Sequence, residues 1–161
     1  AFLLKSATKS GLTMNEVALI QKESNLPMDV ISQFHSMKEY LVYKEAGLKP
    51  VIVNGRVALV QDIDLDYVSE LSDGTKVTNL ERMQRGFAPI EPATGKAYEL
   101  HHIGQKADGT LAVLTRDQHR KNASILNQPG KASEIDRLGF GNTRKDFWEY
   151  AGTYVFGNGG V

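Results

Sequence analysis

Residues 98–120 read YELHHIGQKADGTLAVLTRDQHR. Two apolar, alternating runs, 97–102 and 110–114, flank the turn residues Asp108 and Gly109, which predicts a pair of antiparallel strands. Thr115 follows directly, and its hydroxyl can cap a helix that begins there. The expected local order is therefore strand, hairpin, strand, helix. Three of the chain's four histidines fall inside it: His101 and His102 side by side, and His119 on the helix. Neighbours on a regular strand point to opposite faces. At a strand end beside a hairpin, twist is expected to bring both imidazoles toward one cleft. His119 can return to that cleft from the helix. Asn127, eight residues further, shares its face if the helix runs that far.

The pattern differs on either side of this unit. In the N-terminal third, Thr13 with Glu16 and Ser36 with Glu39 have capping-box spacing. Pro27 suits a first helical turn, and Gly47 suits a helix stop. Short helices are expected there. From Pro50 the composition turns β-rich: VIVNGRVALV places Asn54-Gly55 between two strand-like runs, a strong hairpin signal. The main boundary is thus read between Gly47 and Pro50, giving a helical segment 1–48 and a second domain 49–161. Asp62, Asp64 and Asp66 alternate, so a strand would align them. Residues 78–96 are punctuated by Gly, Pro and Thr and read as loop-rich. SEIDRLGF and TRKDFWEYAGTYVF read as two further short helices, with Trp148 anchoring the last one to the core. The tail GNGGV reads as flexible, and His35 as a structural or exposed residue.

Composition bounds the chemistry. The 161 residues fit one ordinary domain, or a compact domain with a small helical appendage. With no cysteine, disulfides and thiolate chemistry are excluded, and any metal must take histidine, carboxylate, amide or water ligands. No stretch approaches the roughly 20 consecutive apolar residues of a membrane span. The opening AFLLKSATKSG lacks the form of a secretory signal. A start on Ala1 and an apolar run reads as a piece of a longer polypeptide. Net charge is zero, with eight basic and ten acidic side chains over 1–79 and eleven and nine over 80–161. That balance does not advertise a nucleic-acid binder, although RDQHRKN and NTRKDFW are locally basic.

The pieces TNLERMQRG, API, YELHHIGQ and LAVLTRDQHR, at their spacing, resemble the LHH group of the HNH/endonuclease VII-like superfamily over roughly residues 50–150. Members of that group are known as C-terminal toxin domains of polymorphic and contact-dependent growth-inhibition effectors of bacteria. With the short helices read at the N-terminus, the resemblance implies an α+β fold in which those helices are followed by a nuclease domain built around a ββα-metal motif. It implies a metal-dependent endonuclease acting on DNA ahead of RNA, in the cytoplasm of target bacteria after release from a secreted or cell-surface effector. It also implies a cognate immunity protein. Residues 1–48 would then serve as a linker or in getting into the target cell.

Carried over residue by residue, the resemblance makes His101 a metal ligand, His102 the general base and His119 a further ligand. The group commonly has Leu-His where this chain has Leu126-Asn127. Asn127 can still ligate through its carbonyl oxygen, which moves the expected ion from Zn²⁺ some way toward Mg²⁺ or Mn²⁺. Glu99 and Gln105 are candidates for orienting an imidazole. Arg82, Arg85, Arg120, Arg144 and Lys145 are candidates for holding phosphates. Two other readings stay open: a metal-independent RNase using His102 and His119 as base and acid, and a non-catalytic, metal-stabilised nucleic-acid-binding module.

Overall fold

The structure, a computed structural model, describes residues 11–128 and 137–157. Three helices come first: α1 (Met14–Ser24), α2 (Met28–Ile31) and α3 (Met37–Glu45). The capping box at Thr13 forms, with Glu16 N–H donating to Thr13 Oγ1 and Thr13 N–H to Glu16 Oε1. Pro27 takes the N-cap of α2, one position ahead of the expected first turn. Gly47 follows α3 with a positive φ of 71°, a backbone state that favours glycine.

The start of α3 departs from the simple capping expectation. Ser36 Oγ accepts from Glu39 N–H at 3.1 Å, but the Glu39 carboxylate turns into the protein and is fully buried. There it accepts from His35 N–H at 2.7 Å and from Tyr43 Oη–H at 2.5 Å, and pairs with His35 Nδ1 at 2.8 Å. Burial, then the adjoining carboxylate, push the Tyr43 phenol well above its ordinary range, so it stays a donor.

Strands β1 (Lys49–Val53) and β2 (Arg56–Val60) form the expected hairpin. Asn54 (φ 53°) and Gly55 (φ 77°) both take left-handed conformations, as a two-residue turn matched to strand twist requires. Residues 61–67 do not form a strand, so the alternating aspartates are not aligned on one face. Asp62 pairs with Lys49 and Asp64 accepts from Asp66 N–H within a turn. A small second sheet pairs β3 (Val68–Glu70) with β4 (Lys76–Thr78).

The stretch read as loop-rich contains a short helix, α4 (Asn79–Gln84), opened by a capping box between Thr78 and Glu81. Asn79 is fully buried. Its amide donates to the Asp64 and Ile90 carbonyls and accepts from Ile90 N–H, at 2.7–2.8 Å. One side chain thus ties two loop segments to the start of α4.

Strands β5 (Glu99–His102) and β6 (Leu111–Leu114) are antiparallel, with His101 opposite Ala112 and His102 opposite Leu111. Strand β6 also runs parallel to β2, so the main sheet has the order β1-β2-β6-β5 and β5 is an edge. Thr115 caps α5 (Arg116–Lys121) in a box with Gln118. Helix α6 (Ala123–Leu126) follows, then α7 (Arg137–Tyr150), which continues as a π-helical turn over Ala151–Val155. The two expected C-terminal helices therefore merge over the described residues. The start of SEIDRLGF, the tail after Gly157 and residues 1–10 lie outside those residues.

Sheet alternation builds two cores. Leu59, Ala112 and Leu114 face α1–α3 and pack with Ile20, Ile31, Phe34, Tyr43 and Leu126. Ala58, Val60, Leu100 and Val113 face the opposite way and pack with Met83, Phe147, Trp148 and Ala151. Trp148 is fully buried, the anchoring role expected of it. Among the described residues, no helix is long and apolar enough to cross a membrane.

Candidate active site

Alternation along β5 holds to its last residue. Glu99 and His101 pair with Leu114 and Ala112 on the face toward the N-terminal helices, whereas Leu100 and His102 pair with Val113 and Leu111 on the face toward α7. The expectation that twist brings both imidazoles toward one cleft is corrected: they stay on opposite faces of the strand, and both are buried. Neither imidazole lines the space beside β5, which is an edge strand. A cleft of about 340 Å³ wraps its free side, lined from one face by Glu99, His119 and Arg120 and from the other by Leu100, Phe140 and Arg144.

On the first face, α5 delivers His119 to β5. His119 Nδ1 lies 2.9 Å from Glu99 Oε1. A carboxylate can only accept, so Nδ1 donates, which in the neutral ring leaves Nε2 as the lone-pair nitrogen. Arg120 donates to Glu99 Oε2 at 2.8 Å. Burial alone would raise the Glu99 carboxyl, but the hydrogen bonds from Arg120 and His119 hold it below its usual range.

The His119 ring centre stands 5.2 Å from that of His101, and the Tyr43 ring lies 6.4 Å from His101. Among the described residues, His101 Nε2 is buried without a hydrogen-bond partner. Burial, reinforced by the neighbouring histidines, depresses this imidazole to a pKa of about 3. His101 is thus a neutral ring with an unused nitrogen next to a histidine oriented by a carboxylate.

On the second face, His102 meets the ring of Phe140 edge-on at 4.6 Å. Arg144 lies over that same ring, 5.2 Å from its centre. Burial lowers the His102 pKa, and the charge of Arg56 on β2 lowers it further. The Arg56 guanidinium donates to the Asp108 carbonyl. Leu100, His101 and His102 spell the Leu-His-His run at the centre of this arrangement.

Residues 78–152 match the LHH family, described as a nuclease of the HNH/ENDO VII superfamily with conserved LHH. Neither a curated protein nor a solved structure matches the chain. The matched LHH region runs from the capping box of α4 through β5, β6 and α5 to the end of α7. Proteins of that superfamily are hydrolytic nucleases and generally use a divalent metal ion.

The remaining candidates are spread around the LHH region. The helix after Thr115 breaks at Asn122, so the two-turn relation between His119 and Asn127 does not hold. Asn127 instead ends α6 as its C-cap, in extended conformation. Gln105 has a positive φ of 58°, and its Oε1 accepts from Gln128 N–H at 3.0 Å. This bond ties the loop after β5 to the chain following Asn127. Of the five cations, Arg120 and Arg144 line the cleft. Arg82 is half-buried, donates to the Ala88 carbonyl and lies over Phe87. Burial lowers its pKa. Arg85 caps α4, and Lys145 pairs with Glu149 beside Gly86. These three stand at the α4–α7 junction.

Sequence reading missed two participants, Phe140 and Arg56. Phe140 covers His102, but as one aromatic in a helical pattern it gave no signal. Arg56 reaches the His102 side only because β2 pairs in parallel with β6, a long-range pairing without a local signature.

The donor set fits a metal in part. Two imidazoles on one tetrahedral ion, each bonded at about 2.0–2.1 Å, hold their ring centres roughly 5 Å apart. His101 and His119 meet that requirement at 5.2 Å. The carboxylate-held His119 is in the form in which histidines ligate, and His101 Nε2 is a buried ring nitrogen without another use among the described residues. Among the described residues, no group of three or more His, Cys, Asp or Glu side chains converges on a metal position. Water or phosphate oxygens would complete the shell.

Proposed function

We propose that the protein is a metal-dependent endonuclease that hydrolyses phosphodiester bonds, DNA ahead of RNA. We further propose that it acts as a toxin in the cytoplasm of target bacteria after release from a larger effector, and that a cognate immunity protein restrains it. The single observation that carries the enzymatic reading is the orphaned, buried Nε2 of His101 beside the carboxylate-held ring of His119, at the centre of the LHH region. The toxin context rests on the resemblance of the motif to toxin domains.

A divalent ion held by His101 and His119 would supply Lewis-acid stabilisation of the charge that develops on the phosphate and leaving oxygens. His102 is the general base. Burial and Arg56 keep its imidazole neutral at neutral pH, and its unprotonated ring nitrogen takes the proton of the attacking water. The Phe140 ring covers His102 and has to give way for phosphate and water to reach it. Arg144 and Arg120 hold phosphates on the two sides of the edge strand. Glu99 keeps His119 in the tautomer that presents Nε2.

The test is plasmid nicking by the metal-free protein and after addition of Zn²⁺, Mg²⁺ or Mn²⁺, beside His102→Ala and an RNA substrate. Metal-dependent DNA cleavage that His102→Ala abolishes is expected. Cleavage of RNA alone, insensitive to EDTA, would move the assignment to a metal-independent RNase. Metal binding without cleavage of either polymer would leave a nucleic-acid-binding module. That reading is disfavoured by a histidine pair that leaves coordination positions open.

A further inference from the structure

Helix α3 lies outside the matched region 78–152, yet it reaches the first histidine of the LHH run. Tyr43 is buried against the sheet, and its ring is tilted 35° to that of His101. Among the described residues, the other ring in contact with His101 is that of His119. No hydrogen bond to His101 Nε2 among the described residues fixes the imidazole, so packing by these rings contributes to its orientation.

The Tyr43 ring is in turn fixed by its 2.5 Å hydrogen bond to Glu39, whose carboxylate also holds His35. A fully buried carboxylate costs several kcal/mol unless partners surround it. Apolar residues at 39 and 43 would give α3 an ordinary core face. A network that rigid, ending on the histidine with the unused nitrogen, has a use beyond packing.

We propose that Tyr43, anchored by Glu39, is a positioning residue for His101, and that the N-terminal helices are therefore part of the active unit. The inference rests on the reading of His101 as a ligand. Gln33 supports it independently. Its side-chain amide donates to Thr110 Oγ1 at 2.8 Å and accepts from Thr110 N–H at 2.9 Å. This pairing clamps the loop between β5 and β6 to the same helical segment.

The experiment uses the full chain with Tyr43→Leu, Tyr43→Phe and, as a control for core loss, Tyr40→Leu. Tyr40 is equally buried and stacks on Phe34 without touching His101. The readouts are the long-range ¹H–¹⁵N imidazole spectrum of the metal-free protein and Zn²⁺ affinity by calorimetry. Tyr43→Leu is expected to displace the His101 resonances and weaken Zn²⁺ binding about 10–100-fold, the usual cost of losing a partner that orients a ligand. Tyr43→Phe, which keeps the ring and loses its anchor, should fall between this and wild type. Tyr40→Leu should lower the melting temperature and leave both readouts in place.

Unchanged His101 resonances in both Tyr43 variants, or an equal displacement in Tyr40→Leu, would overturn the proposal. If Tyr43→Leu does not fold, Tyr43→Phe against wild type decides by the same criteria. Absence of Zn²⁺ binding by the wild-type chain would sink the ligand reading, while the imidazole spectrum would still decide whether Tyr43 positions the ring.

Discussion

Glu99 does two jobs with two oxygens: Oε1 holds His119 and Oε2 holds Arg120. Glu99→Gln keeps the shape but removes the charge that fixes the His119 tautomer, and it leaves Arg120 without its counter-ion. Zn²⁺ affinity should fall about 10–100-fold with little change in melting temperature. An unchanged calorimetric titration would show that Glu99 serves only the arginine. The two strand histidines also make the metal-free protein sensitive to acid. Both imidazoles are harder to protonate folded than unfolded, because burial penalises their charged forms. Above the ordinary histidine value of 6.5 they add no slope. As pH falls below it, the unfolded chain takes up protons that the native state refuses. Stability therefore drops by up to about 1.4 kcal/mol per pH unit for one such proton. For His101 this continues toward its folded value of about 3. Denaturant unfolding in EDTA between pH 7 and 4 measures the slope, and His101→Asn should flatten it. At this scale the sequence was informative about identity: His101, His102, His119 and Glu99 are all at the cleft or beside it. It was silent on Tyr43 and Arg56, which come from distant elements.

At the scale of elements, short-range chemistry was legible wherever one residue acts on the next few. Asn54-Gly55 closes its hairpin, and Thr13 and Thr115 cap their helices, as their spacing implies. The same box at Thr78 and Glu81 was available in the sequence, but the surrounding Gly, Pro and Thr masked it. Where the outcome depends on packing, local pattern misled. The aspartates at 62, 64 and 66 alternate without forming a strand, and the helix after Thr115 stops at Asn122. The close approach of α4 to the π-helical turn is also a packing result. A Cβ on Gly152 would stand 2.7 Å from Met83 Cβ and 2.8 Å from the Gln84 backbone nitrogen. Backbone cannot move aside as a flexible side chain can, so Gly152→Ala should cost about 1–3 kcal/mol. Urea unfolding checks this, and a midpoint equal to wild type would mean that the two segments separate easily.

Across the whole molecule, the core crosses the boundary at 48 that the change of sequence pattern suggests. Ile20, Ile31, Phe34 and Tyr43 are buried in a cluster with Leu59, Ala112 and Leu114. At about 1.5–3 kcal/mol for each large side chain, these four represent about 6–12 kcal/mol of burial. That is comparable with the whole net stability of an ordinary domain, about 5–15 kcal/mol. A chain of residues 49–161 alone should therefore lack a cooperative thermal transition by circular dichroism. A sharp melt within a few degrees of the full-length value would show that the second core suffices.

By itself, the sequence determined the short N-terminal helices, the hairpin at Asn54-Gly55, the strand–turn–strand–helix unit and the histidines it carries. All of these follow from interactions between residues a few positions apart. The tertiary structure alone decided the parallel pairing of β2 with β6, and with it the edge position of β5. That position lets one cleft border His119 from one face and Phe140, which covers His102, from the other. It alone placed Tyr43 and Glu39 behind His101, and Arg56 within electrostatic reach of His102. Such contacts join residues dozens of positions apart through buried shape and charge, and no short window of sequence records them.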